Sequence, residues 1–101
     1  MDERKITGLL GMAARAGKAV SGDFAVEKAI FSGRATAVIL AKDASDRTRD
    51  AVLQKCAERS IPVYDILDKE KLGRCLGKGT RAVSALLDTG FTKALEKELR
   101  G

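Results

Sequence analysis

Histidine does not occur among the 101 residues, and neither does tryptophan. The missing imidazole removes the commonest general base. A hydrolase triad or a metal-dependent enzyme would need unusual groups. Cysteine is scarce: Cys56 and Cys75 stand far apart, in different predicted helices, with no Cys-x-x-Cys pair. No zinc site of the usual kinds can be drawn from them. Both are expected as small core residues, and neither a metal nor a cofactor is expected. No apolar run approaches the length of a membrane span. The segment Met1-Asp2-Glu3-Arg4-Lys5 leads into Gly8, Gly11 and Arg15 without an apolar core, so it does not read as a signal peptide. No membrane partner is expected, and the cytoplasm is the expected location.

What is present suits one small folded domain spanning residues 1–101. The hydrophobic fraction is 45%, enough for a core, and the charged fraction of 33% is mixed in sign, which argues against long disorder. Formal net charge is +5. The excess is not spread evenly. Residues 69–81 hold Lys69, Lys71, Arg74, Lys78 and Arg81 against Glu70, a net of +4. Residues 4–34 hold Arg4, Lys5, Arg15, Lys18, Lys28 and Arg34 against Asp23 and Glu27, again +4. A fold that joined the two segments would form a basic face suited to a polyanion. Left apart, they would be scattered solvated charges.

Apolar spacing gives the order of elements. Ile6, Leu9, Leu10 and Ala13 share one helical face, so a helix is expected over residues 3–16, closed by Gly17. Lys18–Ser21 is short and β-compatible. A second helix follows from Asp23 to Ser32, with Val26, Ala29 and Ile30 inward. Thr36–Ala41 is nearly all apolar and reads as a strand buried on both faces. Asp43-Ala44-Ser45 precedes a helix over 45–59, with Val52, Leu53, Cys56 and Ala57 as its inner stripe. Ile61–Ile66 is the next strand; Pro62 has no donor for a ladder and belongs at its start or at an edge. Asp68 opens a short helix to Leu76. Gly77–Arg81 is a loop, Ala82–Leu87 another buried strand, and Asp88 or Thr89 caps a last helix with Phe91, Ala94, Leu95 and Leu99 inward. Alternating helices and strands of these lengths point to an α/β layered sandwich.

Three loops carry the candidate chemistry. The first, Ser21-Gly22-Asp23-Phe24, opens the second helix. Unpaired N–H groups at such a junction suit phosphate, although Ser and Asp are also ordinary caps. The second is Ala41–Ser45. The third, Gly77-Lys78-Gly79-Thr80-Arg81, lacks the spacing of a nucleotide-phosphate loop and leads into a strand, not a helix. It would meet the other two only if its strand ran against theirs.

Leu9–Lys18, Val20-Ser21-Gly22, Val26–Ile30, Ala37–Ser45, Ile61–Tyr64 and Lys71–Gly77 occur in an order and spacing that resemble one family. It is the small ribosomal-protein family that binds kink-turn RNA, the L-seven-Ae / L-thirty-e type, and the likeness is greatest to its bacterial YlxQ-type members. The resemblance implies a three-layer α/β/α sandwich with a mixed four-stranded sheet and no catalysis. It also implies structured RNA as partner, ribosomal RNA or a translation particle being the natural setting, gripped by the opening of the second helix and by the loop before the last strand.

Residue by residue, the family's Gly-x-Asn-Glu-x-x-Lys matches Gly22 and Lys28, but Phe24 and Ala25 replace the Asn and Glu that read guanine edges. Phe24 could stack on a base or serve as a core residue of the helix. Lys28 is expected at phosphate or a guanine edge, and Gly22 allows close backbone approach. Ser21, Asp23, Phe24, Lys78, Gly79, Thr80, Arg81 and Ala82 complete the expected RNA-binding set, with Lys18 and Arg34 on flanking phosphates. The basic loop stands where archaeal and eukaryotic members are apolar, so salt-sensitive affinity and weaker specificity are expected. The competing expectation is a protein-interaction module of the same fold with only weak, non-specific RNA binding. The sequence does not set the oligomeric state; a monomer is expected.

Overall fold

The computed structural model describes residues 1–101 and consists of five helices and four strands. In chain order they are α1 (Glu3–Arg15), β1 (Ala19–Ser21), α2 (Asp23–Phe31), β2 (Ala37–Leu40), α3 (Asp46–Glu58), β3 (Val63–Asp65), α4 (Lys69–Cys75), β4 (Val83–Leu86) and α5 (Thr89–Arg100). The strands lie side by side as β1-β4-β2-β3. β4 runs antiparallel to both β1 and β2, while β3 is parallel to β2. The sheet is therefore mixed, as expected, and Pro62 immediately precedes edge strand β3.

The near-continuous apolar runs bury both faces of the sheet. Side chains alternate across a strand, and the two cores divide accordingly. Ala37 and Ile39 of β2 and Leu86 of β4 join Ile6, Leu10, Leu72 and Leu95 beneath α1, α4 and α5. Val38, Leu40, Val83 and Ala85 join Val26, Ile30, Val52 and Cys56 beneath α2 and α3. The result is the three-layer α/β/α sandwich. Ser84 is the one fully buried polar side chain on β4, and its Oγ donates to the Val20 carbonyl at 2.8 Å. That bond meets the hydroxyl's need for a partner and ties edge strand β1 to the centre.

Capping explains most helix starts. Asp2, Ser45, Asp68 and Asp88 each accept a first-turn N–H. For α5 the cap is thus Asp88 and not Thr89. The inner stripe of α3 is narrower than expected: Val52 and Cys56 are buried, but Leu53 and Ala57 are exposed. A helix at the side of a four-stranded sheet has one neighbouring surface, and positions 100° around from Val52 and Cys56 face water. The Tyr64 hydroxyl donates to Glu96, joining β3 to α5; burial first, then that carboxylate, push the phenol up to about 12.

Gly8 sits mid-helix in α1, and a Cβ there would meet no atom within 4 Å. Gly8→Ala is expected to raise stability by about 0.5–1 kcal/mol, through helix propensity and a less flexible unfolded chain. Chemical denaturation checks this; an unchanged or lower midpoint would contradict it.

Candidate nucleic-acid interface

β4 opposes β1 and β2, so the loop before β4 lies at the end of the sheet where those two strands stop. Backbone bonds join the three loops there. The Gly22 N–H donates to Val83 O at 3.0 Å, and the Ala41 N–H donates to Ala82 O at 2.8 Å. Lys69 N–H, at the start of α4, donates to the Asp43 carboxylate at 2.8 Å. Arg49 fixes the middle loop: its guanidinium pairs with Asp65 at 2.7 Å and donates to the Ala41 and Lys42 carbonyls, both at 3.1 Å.

The opening of α2 is the least satisfied of the helix starts. Neither Ser21 nor Asp23 caps it. Gly22 is the N-cap residue, with φ 91° and ψ 157° and no side-chain hydrogen bond. That φ is left-handed backbone, available to glycine at little cost. Ser21 is the last residue of β1, one position before the cap, and its hydroxyl accepts from Arg81 Nε at 3.2 Å. No hydrogen bond of the fold occupies the N–H groups of Asp23, Phe24 and Ala25. These donors, with the helix dipole behind them, face the loop end and solvent.

Phe24 is 83% exposed, the most exposed of the large apolar side chains. The alternative that it belongs to the core is therefore corrected: α2 buries Val26, Ala29 and Ile30 instead, and residue 24 points roughly opposite to Val26. Lys28 is exposed, one helical turn beyond Phe24 and Ala25, so the three share a face. Asp23 is exposed at the first turn.

Across from α2, the segment Gly77–Ala82 rests on α4. Lys78 N–H donates to Gly73 O at 2.8 Å and Arg81 N–H to Lys69 O at 3.1 Å. A Cβ on Gly73 would stand 1.7 Å from the Gly79 carbonyl oxygen, so only glycine admits the loop there. Lys78, Gly79 and Thr80 are exposed; Arg81 and Ala82 are half-buried. Arg81 also donates to Thr80 O at 2.9 Å. It has no carboxylate partner, and neither do Lys78 and Lys28.

The expected set divides in two. Ser21, Gly22, Asp23, Phe24, Lys28, Lys78, Gly79, Thr80, Arg81 and Ala82 come together at this end. Lys18 and Arg34 do not. Lys18 precedes β1 and its carbonyl accepts from Leu87 N, beyond the far end of β4; Arg34 follows the C-terminus of α2. The three residues of β1 separate Lys18 from Gly22, four extended steps of about 13 Å in all. In their place the fold supplies Arg15 and Arg74. Both line a groove of about 700 Å³ with Lys78 and Arg81. Their membership of the two basic segments was the available signal; which helix face they occupy was not readable. Arg74 is paired with Glu70, while Arg15 has no ion pair. The Cys75 thiol lies at the same groove, pushed up to about 11 by burial, so it stays protonated near neutral pH and is a poor nucleophile.

The comparisons with known proteins agree with this architecture. The chain is similar to the RNA-binding protein YlxQ of Bacillus subtilis (strain 168), 42% identical over 87 residues, covering 86% of this chain and 87% of that protein. The RNA-binding protein YlxQ of Enterococcus faecium is 29% identical over 100 residues, covering 99% and 96%. Among solved structures, a Bacillus halodurans protein of unknown function superposes with a TM-score of 0.92 at 38% identity, covering 98% of this chain and 100% of that one. The Giardia lamblia 15.5kD RNA binding protein shares the fold, with a TM-score of 0.79 at 20% identity over 96% and 86% of the two chains. A family model matches residues 4–96, nearly the whole chain, and by it this protein belongs to the ribosomal protein L7Ae/L30e/S12e/Gadd45 family.

Proposed function

We propose that this protein binds structured RNA of the kink-turn kind, without catalysing a reaction, through the face formed by the start of α2 and the loop before β4. One observation carries the reading. Basic segments far apart in sequence converge beside three free backbone donors and an exposed phenylalanine. Phosphate suits the cations and the N–H groups; a base suits the ring. The family and the names of the two YlxQ relatives support the same reading. The Ala25 side chain offers no polar atom to a guanine edge, so Lys28 and the backbone N–H groups would carry the polar contacts. Ribosomal RNA, or another RNA of the translation apparatus, is the setting proposed.

The test is a titration with a kink-turn RNA and with the same RNA lacking its tandem G·A pairs, each at two salt concentrations. Tighter binding of the intact motif at moderate salt is the expected result. Equal, steeply salt-dependent binding would reduce the protein to a general RNA binder, and no binding would sink the proposal. Lys28→Ala is expected to weaken binding across sequences and to reduce the slope of log affinity against log salt by about one. An unchanged slope would remove Lys28 from the phosphate contacts.

A protein-docking module is the second reading, favoured by the exposed ring of Phe24 and the absence of base-reading side chains beside it. It predicts weak binding that does not distinguish the two RNAs.

A further inference from the structure

Four glycines lie inside helices, and packing accounts for three of them. A Cβ on Gly11, Gly73 or Gly90 would stand 3.1, 1.7 or 3.0 Å from the nearest atom. Gly8 differs. A Cβ there would meet nothing within 4 Å, and the residue is not among the glycines of positive φ. The fold therefore gains nothing from glycine at position 8 and loses helix propensity by it. What glycine offers on an open helix face is close approach by another chain.

Gly8 lies in a trough of about 670 Å³ where α1 packs along α5. Its floor is apolar: half-buried Leu9 and Ala94 and the 50% exposed Met12 lie beside Gly8. Methionine is flexible and polarizable and adapts to the surface of a partner. Lys5, Arg15, Lys97 and Glu98 form the rim, three cations to one acid. From Lys5 to Arg15 the trough follows α1 for about 15 Å, or about three turns of a helix laid along it.

Floor and rim together select the occupant. A second copy of this chain would set the same excess of cations against the rim. RNA would find partners for phosphate but no aromatic ring for a base, which the opening of α2 does offer in Phe24. A helix with an apolar stripe and acidic flanks matches both features.

We infer that the α1–α5 trough docks an acidic amphipathic helix of a partner protein. Its apolar stripe packs on Leu9, Met12 and Ala94, its backbone crosses α1 at Gly8, and its acidic flanks meet Lys5 and Lys97. α1 and α5 cover the face of the sheet opposite to α2. Arg15 is the one lining residue shared with the groove beside the RNA-binding face. The docked helix thus leaves the opening of α2 free, and the protein can hold an RNA and a second protein at once.

The test titrates the full chain with three synthetic helical peptides, each about four turns long, and follows backbone amide shifts by NMR. The first has leucines spaced along one face and glutamates on both flanks. The second has lysine for every glutamate, and the third has serine for every leucine. The first peptide is expected to shift the amides of Gly8, Met12 and Ala94 and to bind at least about tenfold tighter than the other two. Gly8→Leu fills the trough at an open position with a good helix former. It should weaken the first peptide about tenfold and leave RNA titration unchanged. Lys97→Glu should weaken the first peptide and strengthen the second. Those three amides unmoved by the first peptide, or equal binding of all three peptides, would overturn the inference. So would shifts of the same amides by a structured RNA, which would give the trough to nucleic acid. A dimer in sedimentation equilibrium that Gly8→Leu dissociates would give it to a second copy and overturn the inference too. The wild-type shifts and Lys97→Glu decide the matter even if Gly8→Leu does not fold.

Discussion

Gly73→Ala is expected to lower stability by about 1–3 kcal/mol and to weaken RNA binding at least tenfold, although the substitution favours the helix. Residue 73 is in the middle of α4, where Ala in place of Gly would add up to about 1 kcal/mol of helix propensity. Packing reverses the sign. The new Cβ would lie 1.7 Å from Gly79 O, 2.7 Å from Gly79 C and 3.0 Å from Thr80 Cα. All three are backbone atoms, so no side-chain rotation relieves the clash. Either the Gly77–Arg81 loop lifts off α4, or the helix moves into Leu72 and its fully buried surroundings. Overpacking of this kind costs about 1–3 kcal/mol. Lifting the loop also moves Lys78 and Arg81 away from the opening of α2, and it breaks the hydrogen bond from Arg81 to Ser21. Thermal melting and RNA titration read the two effects separately. For a chain near 100 residues the stability loss corresponds to a fall in Tm of about 4 °C or more. A rise in Tm, as at Gly8, would mean that the loop does not rest on α4 as described.

Phe24→Ala is expected to reduce RNA affinity by about 1–3 kcal/mol, a factor of about 5–150, with stability changed by less than about 0.5 kcal/mol. The ring is 83% exposed and adds little to the core. Its loss should leave the salt slope unchanged, because stacking releases no counterions from phosphate. Phe24→Tyr should keep most of the affinity. Phe31 is the control. It too is exposed, at 52%, but the Arg59 guanidinium lies 4.5 Å from its ring centroid and Lys55 Nζ lies 6.0 Å away. That ring already has a cation on one face and stands at the C-terminal end of α2. Phe31→Ala should leave RNA affinity as it was. Isothermal titration with one RNA at two salt concentrations separates all three variants. Wild-type affinity in Phe24→Ala would take the ring out of the RNA interface.

Much of the architecture follows from local pattern. The apolar run Thr36–Ala41 implied a strand covered on both sides, and Ala37–Leu40 is buried throughout. Pro62 implied a strand start or an edge, and it immediately precedes β3, an edge strand. These succeed because hydrophobic period and the missing proline donor act over a few residues. The breadth of α3's apolar stripe was less legible. Leu53 lies beside Val52 in sequence, and only the width of the surface under the helix decides that it faces water.

The candidate site shows the same division. Gly22 and Lys28 framed one loop and Gly77–Arg81 another, and their spacing against the helix starts could be read directly. The empty cap of α2 could not. Ser21 is a good capping residue by type, but the fold makes it the end of β1 and turns its hydroxyl toward Arg81, 60 positions along the chain. The basic segments named the right stretches of chain but not the right members. Lys18 and Gly22 are close in sequence yet sit at opposite ends of β1, whereas Arg15 and Arg81 line one groove.

By itself, then, the sequence determined the order of elements, the three-layer sandwich and the family, because these rest on periodicities and short motifs that each segment carries alone. Tertiary structure decided the direction of β4 and, through it, the meeting of three loops at one end of the sheet. It also decided which cations remain unpaired and how Phe24 stands free of the core. Each of these depends on contacts between residues distant in the chain, and a strand's direction or a cation's neighbour is not encoded in the few residues around it.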